Sequence, residues 1–509
     1  MTKPETLLLG IDIGLSGAKC TFYSDKGRPV AGSHAEYPTT SPHPGWAEQN
    51  PDHWWKAVTA NIRDCIDRQG VDASAVAAVG VSCSNTIVPV DRDGNVLHNA
   101  ILLFDQRTGK EVQWVKDEIG EDRIYRITGN RIARGTYSLP TILWLMRNRP
   151  DVMKRAWKVL VPSGFIVQRL TDVFSINRSR MSFTLLADLR KGAWDADLAR
   201  DAGVPLSILP DPYAASAAVG CVTPGAANAT GLRAGTPVVA GAMDTVAASF
   251  ASGAARENTV FLTIGTTVRL CHTTTVARFD KRLMNTANVF GDTWLEIGAT
   301  NTAGASLRWF RDTLGGAGSS GEKVTYAQLD AAAAASPPGA GGVIFLPYMA
   351  GERSPLWNPD AKGVFFGIGL PTTYADMVRA VMEGVSYSVR QLVEIVMTHP
   401  DPASTIAISG GVARSPLWCQ IIADMLRHPL IQLEAGETET LGAALIAGHG
   451  VGLIPDPLPF VDRLVKKGRK YMPVPENAHA YDAYYPIFMK LYKDIAETYS
   501  QHAAVQQTA

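Results

Sequence analysis

The sequence lacks the features that mark several classes of protein. Its 48 Lys and Arg residues balance 48 Asp and Glu residues. Without basic or acidic tracts, we expect no nucleic-acid or membrane partner. No apolar run reaches membrane length and no signal peptide is recognisable, so we expect a cytoplasmic protein. The six cysteines form no CxxC motif, which predicts reduced, mostly buried thiols rather than disulfides or a zinc site.

The length and composition predict a globular protein with more than one core. The chain has 509 residues, of which 46% are hydrophobic and 19% charged. A single core does not extend over such a length, so two large domains are the simplest expectation. The boundary is predicted just after a helix of small residues that begins near Thr245, which divides the chain into domains 1–250 and 251–509.

The first motif is the segment Asp12 to Lys19 (DIGLSGAK), between two predicted strands at 7–13 and 18–23. Glycines in such a turn let backbone N–H groups approach phosphate oxygens, and the neighbouring carboxylate can hold a hydrated Mg²⁺. Because a strand follows, the motif is neither a P-loop nor a dinucleotide fingerprint. An ordinary hairpin is the alternative.

The second motif repeats the first. Ile264 to Thr267 (IGTT) also separates two predicted strands, at 260–264 and 268–272. A long-period repeat of this kind is expected if two similar domains face each other. Two such turns would enclose the phosphates of a nucleotide between the domains.

Two acidic segments are candidates for substrate chemistry. Asp105-Gln106-Arg107 follows a predicted strand at 101–104, where α/β folds place ligands. The alternative is a helix-capping Asp beside a solvated Arg. Asp244 follows the predicted buried strand 236–241 and precedes the small-residue helix. It could cap that helix, but its small neighbours would also let a substrate approach closely.

A further glycine turn lies near the end of the predicted second domain. Gly410 and Gly411 follow a predicted strand at 405–408, and Ser415 precedes a helix. A strand, a glycine pair and a helix N-terminus can form an anion site and allow flat contact with a ribose or purine. The alternative is a plain strand-to-helix turn.

Several longer segments occur in an order that is specific to one family. They are GIDIGLSGAK, GWAEQNPDHWW, DQRT, GTPVVAGAMD, IGTT, GATNTAGASLRWFRD, GERSPLWNPDAKGVFFGI, MEGVSYSVRQLVE, ISGGVARSPLWCQIIADML and ETLGAALIAG. From Leu8 to Gly448 the chain therefore resembles the FGGY carbohydrate kinases. The resemblance implies an α/β fold of two ribonuclease H-like (actin-like ATPase) domains around a central nucleotide and sugar cleft. Past about Gly450 the chain is polar and is predicted to be helical, which makes this region a C-terminal helical extension.

The resemblance implies a role for each matching residue. Asp244 corresponds to the general base, and Asp12 to the acid that orients Mg²⁺–ATP, so both are expected to hold the metal. The residues expected to bind nucleotide are Ser16, Lys19, Gly265, Thr266, Thr267, Gly304, Arg308, Gly410, Gly411 and Ser415. The expected cofactors are ATP and Mg²⁺, and Asp105 matches a substrate-side position.

The segment Ser82 to Thr86 departs from the family patterns that accompany xylulose or glycerol. We expect Asn85 and Thr86 to contact the acceptor there. GWAEQNPDHWW is closest to xylulose and related kinases, so a pentulose such as D-xylulose is the expected acceptor. Ribulose, erythritol, glycerol and gluconate remain alternatives, as does an actin- or chaperone-like ATPase without sugar transfer. A homodimer is possible.

Overall fold

The apolar runs predicted at the start of each half form central strands of two sheets. The structure is a computed structural model that describes residues 5–254, 256–315, 324–398, 405–434 and 436–508. The strands of the first half are β1 (Leu7–Ile13), β2 (Gly17–Ser24), β3 (Pro29–Glu36), β4 (Glu48–Gln49), β5 (Val76–Cys83), β6 (Val88–Val90), β7 (Ala100–Ile101), β8 (Lys158–Leu160), β9 (Ser175–Asn177), β10 (Ala187–Asp188), β11 (Ala193–Trp194), β12 (Asp211–Tyr213), β13 (Ala218–Cys221), β14 (Pro237–Val239) and β15 (Ala242–Met243).

The helices of the first half are α1 (Pro51–Arg63), α2 (Gly109–Trp114), α3 (Glu121–Thr128), α4 (Leu139–Asn148), α5 (Pro150–Arg155), α6 (Pro162–Thr171), α7 (Arg178–Ser182), α8 (Ala196–Asp201), α9 (Pro224–Thr230) and α10 (Asp244–Ala251). The strands of the second half are β16 (Thr259–Ile264), β17 (Val268–Thr274), β18 (Met284–Ala287), β19 (Trp294–Ala299), β20 (Ile344–Pro347), β21 (Gly363–Phe366), β22 (Thr405–Ser409), β23 (Leu430–Glu434) and β24 (Lys466–Tyr471). Its helices are α11 (Gly304–Thr313), α12 (Tyr326–Ala334), α13 (Tyr374–Met397), α14 (Pro416–Leu426), α15 (Thr438–Gly450), α16 (Pro457–Leu464) and α17 (Pro475–Thr508).

The two halves share one sheet topology. In the first half β3, β2 and β1 are antiparallel neighbours, and β5 and β14 continue the sheet parallel to β1. In the second half β19, β17 and β16 are antiparallel, and β22 and β23 continue parallel to β16. Three antiparallel strands followed by two parallel strands form the sheet of a ribonuclease H-like domain. The predicted fold class is confirmed, and the repeated turn motif reflects a repeated sheet.

The parallel strands bring the predicted motifs to two sheet edges. Asp12, near the end of β1, lies beside Ser82 on β5, and β15 pairs with the end of β5 so that Asp244 follows directly. In the second sheet, Thr263 at the end of β16 lies beside Ser409 at the end of β22. The glycine turns after these strands are therefore neighbours. Carboxyl ends of parallel strands are where α/β folds place ligands.

Helix α15 joins the two halves, because it follows the second sheet in the chain but packs on β1, β5 and α10 of the first half. The contacts are between backbones. A Cβ atom on Gly10 would lie 1.9 Å from the carbonyl oxygen of Thr440, and one on Gly442 would lie 2.0 Å from that of Ala247. Gly80 meets the same helix equally closely. These glycines are needed because no side chain fits between the elements.

Local signals placed several elements correctly and misjudged two. Helix α1 begins at Pro51 with the side chain of Asn50 as its cap, the arrangement that Asn followed by Pro in the sequence indicates. The strand predicted over 101–104 is shorter, because the Asp105 amide donates to the carbonyl of Leu102 and closes a turn. The region after Gly450, predicted to be helical, also contains β24. This strand pairs with β23, and its lysines mark an exposed sheet edge.

Within the described residues, no helix has the length and apolar character to cross a membrane. The described cysteines form no disulfide, and only Cys221 is exposed. The prediction of mostly buried thiols is confirmed.

We predict that Gly442→Ala destabilises the protein by about 2 kcal/mol or more, because the new methyl group would overlap the backbone of α10. Urea unfolding followed by fluorescence measures the change. Gly436→Ala is the matched control, since a Cβ atom there meets nothing within 4 Å. Equal stability of the two variants would show that α15 can shift without cost.

Candidate active site

Asp12 is the most buried acidic group at the edge of the first sheet. It is 8% exposed, and Ser82 Oγ donates a hydrogen bond of 2.7 Å to its Oδ1. Burial, followed by the charge of Asp244, raises the pKa of Asp12 to about 7. Two carboxylates that disfavour each other's charge form a site that a cation stabilises.

Asp244 is the first residue of α10, and Met243 occupies the N-cap position without a side-chain cap. The interpretation of Asp244 as the helix cap is therefore wrong. Its Oδ1 accepts hydrogen bonds from the Thr245 amide at 2.5 Å and the Thr245 hydroxyl at 3.0 Å. Within the described part of the chain, Oδ2 accepts none. One carboxylate oxygen is thus held in place while the other remains open to a ligand.

Asp12 and Asp244 suit a magnesium ion that keeps water and phosphate ligands. They do not form a site in which the protein supplies every ligand. The described residues contain no group of three or more His, Cys, Asp or Glu side chains able to hold a metal ion. Mg²⁺ is typically bound by one or two carboxylates, with water and phosphate oxygens completing its shell. Two neighbouring carboxylates, one of them buried, suit such an ion.

The first glycine turn, Gly14–Gly17, is closed by a hydrogen bond from the Gly14 amide to the Gly17 carbonyl at 3.1 Å. The hydroxyl of Tyr37 donates to the Gly14 carbonyl at 2.5 Å and braces the turn from below. Ser16 is exposed at its tip. Lys19 lies on β2, and its ammonium group forms an ion pair of 3.0 Å with Glu437, the residue just before α15.

The second glycine turn, Gly265–Thr267, rests on the start of α11. The amide of Gly304 donates to the Gly265 carbonyl at 2.9 Å, and the amide of Ala303 donates to the Thr266 carbonyl at 2.9 Å. A Cβ atom on Gly304 would lie 2.5 Å from the Gly265 oxygen. This close contact explains the glycine and joins two predicted nucleotide-site segments. Arg308, one turn further along α11, is exposed.

The third glycine turn lies against the second. Gly410 has a φ of +91°, and a Cβ atom there would lie 2.6 Å from the Ile264 carbonyl oxygen. At Gly411 nothing lies within 4 Å of the corresponding position, so this residue faces open space. Ser415 is the N-cap of α14, and its Oγ accepts a hydrogen bond from the Trp418 amide at 3.1 Å. The hydroxyl of Ser415 is therefore used by its own helix.

Asp105 lies in a buried cluster. Its two carboxylate oxygens accept four hydrogen bonds, one from the Ala47 amide at 2.6 Å and three from Arg107 at 2.7 to 2.9 Å. The Arg107 side chain is 1% exposed, pairs with Glu48 and stacks 3.6 Å from the centre of the Trp46 ring. The interpretation of Arg107 as solvated is therefore wrong. No hydrogen bond or ion pair among the described residues links Asp105 to Asp244.

The segment Ser82–Thr86 separates into three contacts. Ser82 binds Asp12, as described above. Asn85 accepts a hydrogen bond at Oδ1 from Arg180 and donates through Nδ2 to the Thr136 carbonyl. Thr86 is buried and donates to the Ile101 carbonyl at 2.6 Å. Asn85 and Thr86 therefore both have protein partners, and only Asn85 bonds to a charged side chain among the described residues.

Three residues of the site region were not predicted from the sequence. Ser82 orients Asp12, and Arg180 in α7 binds Asn85. Glu352, within the segment GERSPLW, accepts hydrogen bonds of 2.8 Å from the amides of Asn301 and Arg353. The one available signal for Arg180 was its place in the polar run NRSR after a short strand. That signal does not distinguish a buried Arg from a solvated one.

The Glu352 network supports the segment that leads into α11. Arg353 donates to the Asn301 side chain at 2.8 Å and to the Thr300 carbonyl at 3.1 Å. The Thr300 hydroxyl in turn accepts from the Val268 amide at 3.1 Å. This chain of contacts connects Glu352 to the strand that follows the second glycine turn. A buried carboxyl group is therefore linked by hydrogen bonds to the strand beside that turn.

The fold assigns the protein to the actin-like ATPases, because two ribonuclease H-like domains in one chain are the arrangement of that class. The chain belongs to the FGGY family of carbohydrate kinases. The family's N-terminal domain matches residues 7–251 and its C-terminal domain matches residues 260–451. The protein is therefore a sugar kinase.

The chain is similar to several characterised kinases over nearly its whole length. It is 29% identical to a xylulose kinase of Staphylococcus epidermidis, covering 96% of this chain and 97% of the relative. It is 28% identical to a gluconokinase of Bacillus licheniformis, covering 98% of both. The crystal structure of xylulose kinase from Rhodospirillum rubrum matches with a TM-score of 0.90 and 29% identity, covering 97% of this chain and all of that one.

We predict that the stability of the protein depends on pH through Glu352. Burial raises its pKa to about 8, so the folded state holds this proton more tightly than the unfolded state does. The contribution to stability is complete below about pH 4.5 and is lost as the pH rises to about 8. Glu352→Gln removes this dependence, so the variant should gain roughly 2–4 kcal/mol relative to the wild type between pH 5 and pH 8.5.

Urea unfolding midpoints at a series of pH values measure this difference. Glu497→Gln, at an exposed position of α17, is the control and should follow the wild type at every pH. Parallel curves for the wild type and Glu352→Gln would contradict the prediction.

Proposed function

We propose that the protein transfers the γ-phosphoryl group of ATP to a hydroxyl of a small open-chain sugar, with a pentulose such as D-xylulose as the first candidate acceptor. The pairing of Asp12 with Asp244 at one sheet edge carries the proposal, because phosphoryl transfer needs a metal-binding acid and a base at one place. The names of the relatives, xylulose kinase and gluconokinase, support a small sugar or sugar acid as the acceptor.

Asp244 is the proposed general base. Its Oδ1 is fixed by Thr245, and its Oδ2 is open to accept the proton of the attacking hydroxyl. A base that is held at one oxygen and free at the other keeps its orientation while the proton moves. Asp244 would thus contact the acceptor directly.

Asp12 and Asp244 are the proposed ligands of Mg²⁺. When bound, the ion would neutralise charge on the phosphate oxygens of ATP. Ser82 would keep Asp12 oriented through its 2.7 Å hydrogen bond. The high pKa of Asp12 supports this role, since a cation restores the charged form that burial disfavours.

The glycine turns are the proposed binding site for the nucleotide. The amides of Thr266 and Thr267 donate no hydrogen bond to any described residue, so both are available to phosphate oxygens. Gly265 and Gly304 would shape this turn, and Gly14–Gly17 with Ser16 would contact the phosphates from the first domain. Lys19 would reach them only on leaving Glu437.

We propose that the adenosine lies along the second domain. Gly410 and Gly411 would provide a flat surface, Ser415 would mark the helix start beside it, and the exposed Arg308 would border it. The proposed domains are 1–250 and 251–509, with a helical extension after the family's second domain. Their closure on the sugar would exclude water, which would otherwise hydrolyse ATP.

Three residues remain proposed contacts of the acceptor, and the structure supports them unequally: Asp105, Asn85 and Thr86. The hydroxyl of Thr86 and both oxygens of Asp105 already have protein partners. These two residues would keep their hydrogen bonds to the protein and would support the acceptor site from behind, without bonding to the acceptor. The side-chain oxygen and nitrogen of Asn85 also have partners, Arg180 and the Thr136 carbonyl, so Asn85 would act at the acceptor site together with Arg180.

Two further proposals concern the setting of the enzyme. Use of ATP supports a cytoplasmic location. A homodimer is supported by a run of exposed apolar side chains at Phe366, Ile368, Leu370 and Tyr374, since clustered exposed apolar residues mark interaction surfaces. Sedimentation velocity measures the assembly state.

The test of the proposed function is ADP release from Mg²⁺–ATP with a panel of acceptors: D-xylulose, D-ribulose, L-ribulose, erythritol, glycerol and D-gluconate. We predict stimulation by at least one of them. We further predict that Asp244→Asn lowers kcat about 1000-fold or more and leaves ATP affinity within threefold, because it removes the base while the phosphate turns, Asp12 and an amide oxygen at position 244 remain to hold Mg²⁺–ATP. Product assays and calorimetry with a non-hydrolysable ATP analogue measure the two effects.

Asp25→Asn, in an exposed turn of the first domain, is the matched control and should retain full activity. Near-normal turnover by Asp244→Asn would remove Asp244 from the mechanism. ADP release that no acceptor stimulates would instead contradict the transfer to sugar.

A further inference from the structure

Arg180 is a buried cation with an incomplete set of partners. It lies in the short helix α7 and is 1% exposed. Its Nη2 donates to Asn85 Oδ1, and its Nε is buried with no hydrogen-bond partner among the described residues. Among the described residues, no carboxylate forms an ion pair with it. A guanidinium group has five N–H donors, so most of its hydrogen-bonding capacity is unused.

Arg180 is a neighbour of the proposed base. The preceding residue, Ser179, accepts a hydrogen bond of 2.9 Å from the amide of Met243, which leads directly into Asp244. Strand β15, which ends at Met243, pairs with the end of β5, after which the chain reaches Asn85. Burial lowers the pKa of Arg180, while the nearby charge of Asp244 opposes that change. Arg180 is therefore held next to the segment that carries the proposed base, within the range of its charge.

The surroundings of Arg180 do not balance its charge. Three groups near it, the Asn85 amide, the Cys83 thiol and the Phe183 ring at 5.4 Å, are uncharged. Asp244 is the carboxylate whose charge acts on it among the described residues, and in the proposed mechanism that charge serves the metal ion and the transferred proton. A buried charge without a partner costs several kcal/mol, so such a charge is expected to meet an anion during function.

We propose that Arg180, oriented by Asn85, binds a carboxylate group of the phosphoryl acceptor, which makes the acceptor a sugar acid rather than a neutral ketose or polyol. The planar guanidinium matches a carboxylate in both charge and geometry. The inference rests on the proposed kinase function and selects a sugar acid from its alternative acceptors, in place of the pentulose named first. Asn85 fixes the direction of Arg180, because its Nδ2 is held by the Thr136 carbonyl and its Oδ1 is turned to the guanidinium.

Matched acid and polyol pairs test the proposal. D-gluconate with D-glucitol, D-xylonate with xylitol and D-erythronate with erythritol each differ at one terminal carbon, and D-xylulose represents the neutral ketoses. The wild type should favour the acid by about 100-fold or more in kcat/KM in at least one pair, which corresponds to about 2.7 kcal/mol. Equal or better use of a neutral sugar would overturn the proposal.

Variants of α7 separate recognition from catalysis. Arg180→Met should lower kcat/KM for the preferred acid about 100-fold and change that for the neutral acceptors less than threefold. Arg178→Met, in the same helix but exposed, is the matched control and should behave as the wild type. An equal loss with acids and neutral sugars would show that Arg180 acts through Asp244, and would overturn the proposal.

A binding measurement without nucleotide tests the carboxylate site independently of kinase activity. Calorimetry of each acid and polyol with the wild-type protein, without nucleotide, reports recognition alone. If no acceptor stimulates ADP release, the proposed kinase function fails, while acid binding that Arg180→Met abolishes still supports the carboxylate site. If Arg180→Met does not fold, the preference of the wild type between acid and polyol decides the question by itself.

Discussion

The close packing of α15 against β1, β5 and α10 is the contact on which the rest of the molecule depends. Backbones approach one another at Gly10, Gly80 and Gly442 to distances that exclude any side chain. This helix follows the second sheet in the chain, yet its contacts belong to the first. The edge that carries Asp12 and the edge that carries the glycine turns are therefore connected through one rigid element.

The proposed chemistry depends on the charged side chains that lie near the start of α15. Asp12 is buried and opposed by Asp244, and Lys19 is drawn towards Glu437 at the start of α15. Such a site favours a divalent cation between the two acids. Arg180 is also near Asp244, and its charge is balanced by no described ion pair. The proposed base would thus lie near a proposed site for a cation and a proposed site for an anion.

The sequence was sufficient to predict the sheet strands, the repeated turns and the location of Asp244 after a buried strand. These features depend on local signals, namely apolar runs, glycine turns and a Pro at a helix start. It was not sufficient for Arg107 and Arg180. Both are arginines in polar segments, and each is buried only because distant residues cover it: Trp46 and Glu48 in one case, Asn85 in the other.

Residues that support the site were harder to predict than residues that form it. Ser82 and Glu352 act through hydrogen bonds to partners 70 and 51 positions away in the chain. No pattern within one segment shows such a bond. The family resemblance included the segment that contains Glu352 but not its role, and Ser82 lies where the chain departs from the family patterns. Similarity of segments does not specify which side chain turns inwards.

The position of α15 also bears on how this chain could be divided. A fragment that ended after α10 would present the glycine-lined surface of β1 and β5 to water, with its backbone uncovered by the helix that normally fills it. The complementary fragment would carry that helix without its groove. The two fragments therefore have complementary surfaces. The link between α10 and β16 is accordingly a suitable position at which to divide the chain for a split reporter, in which association of the two fragments restores the packing of α15.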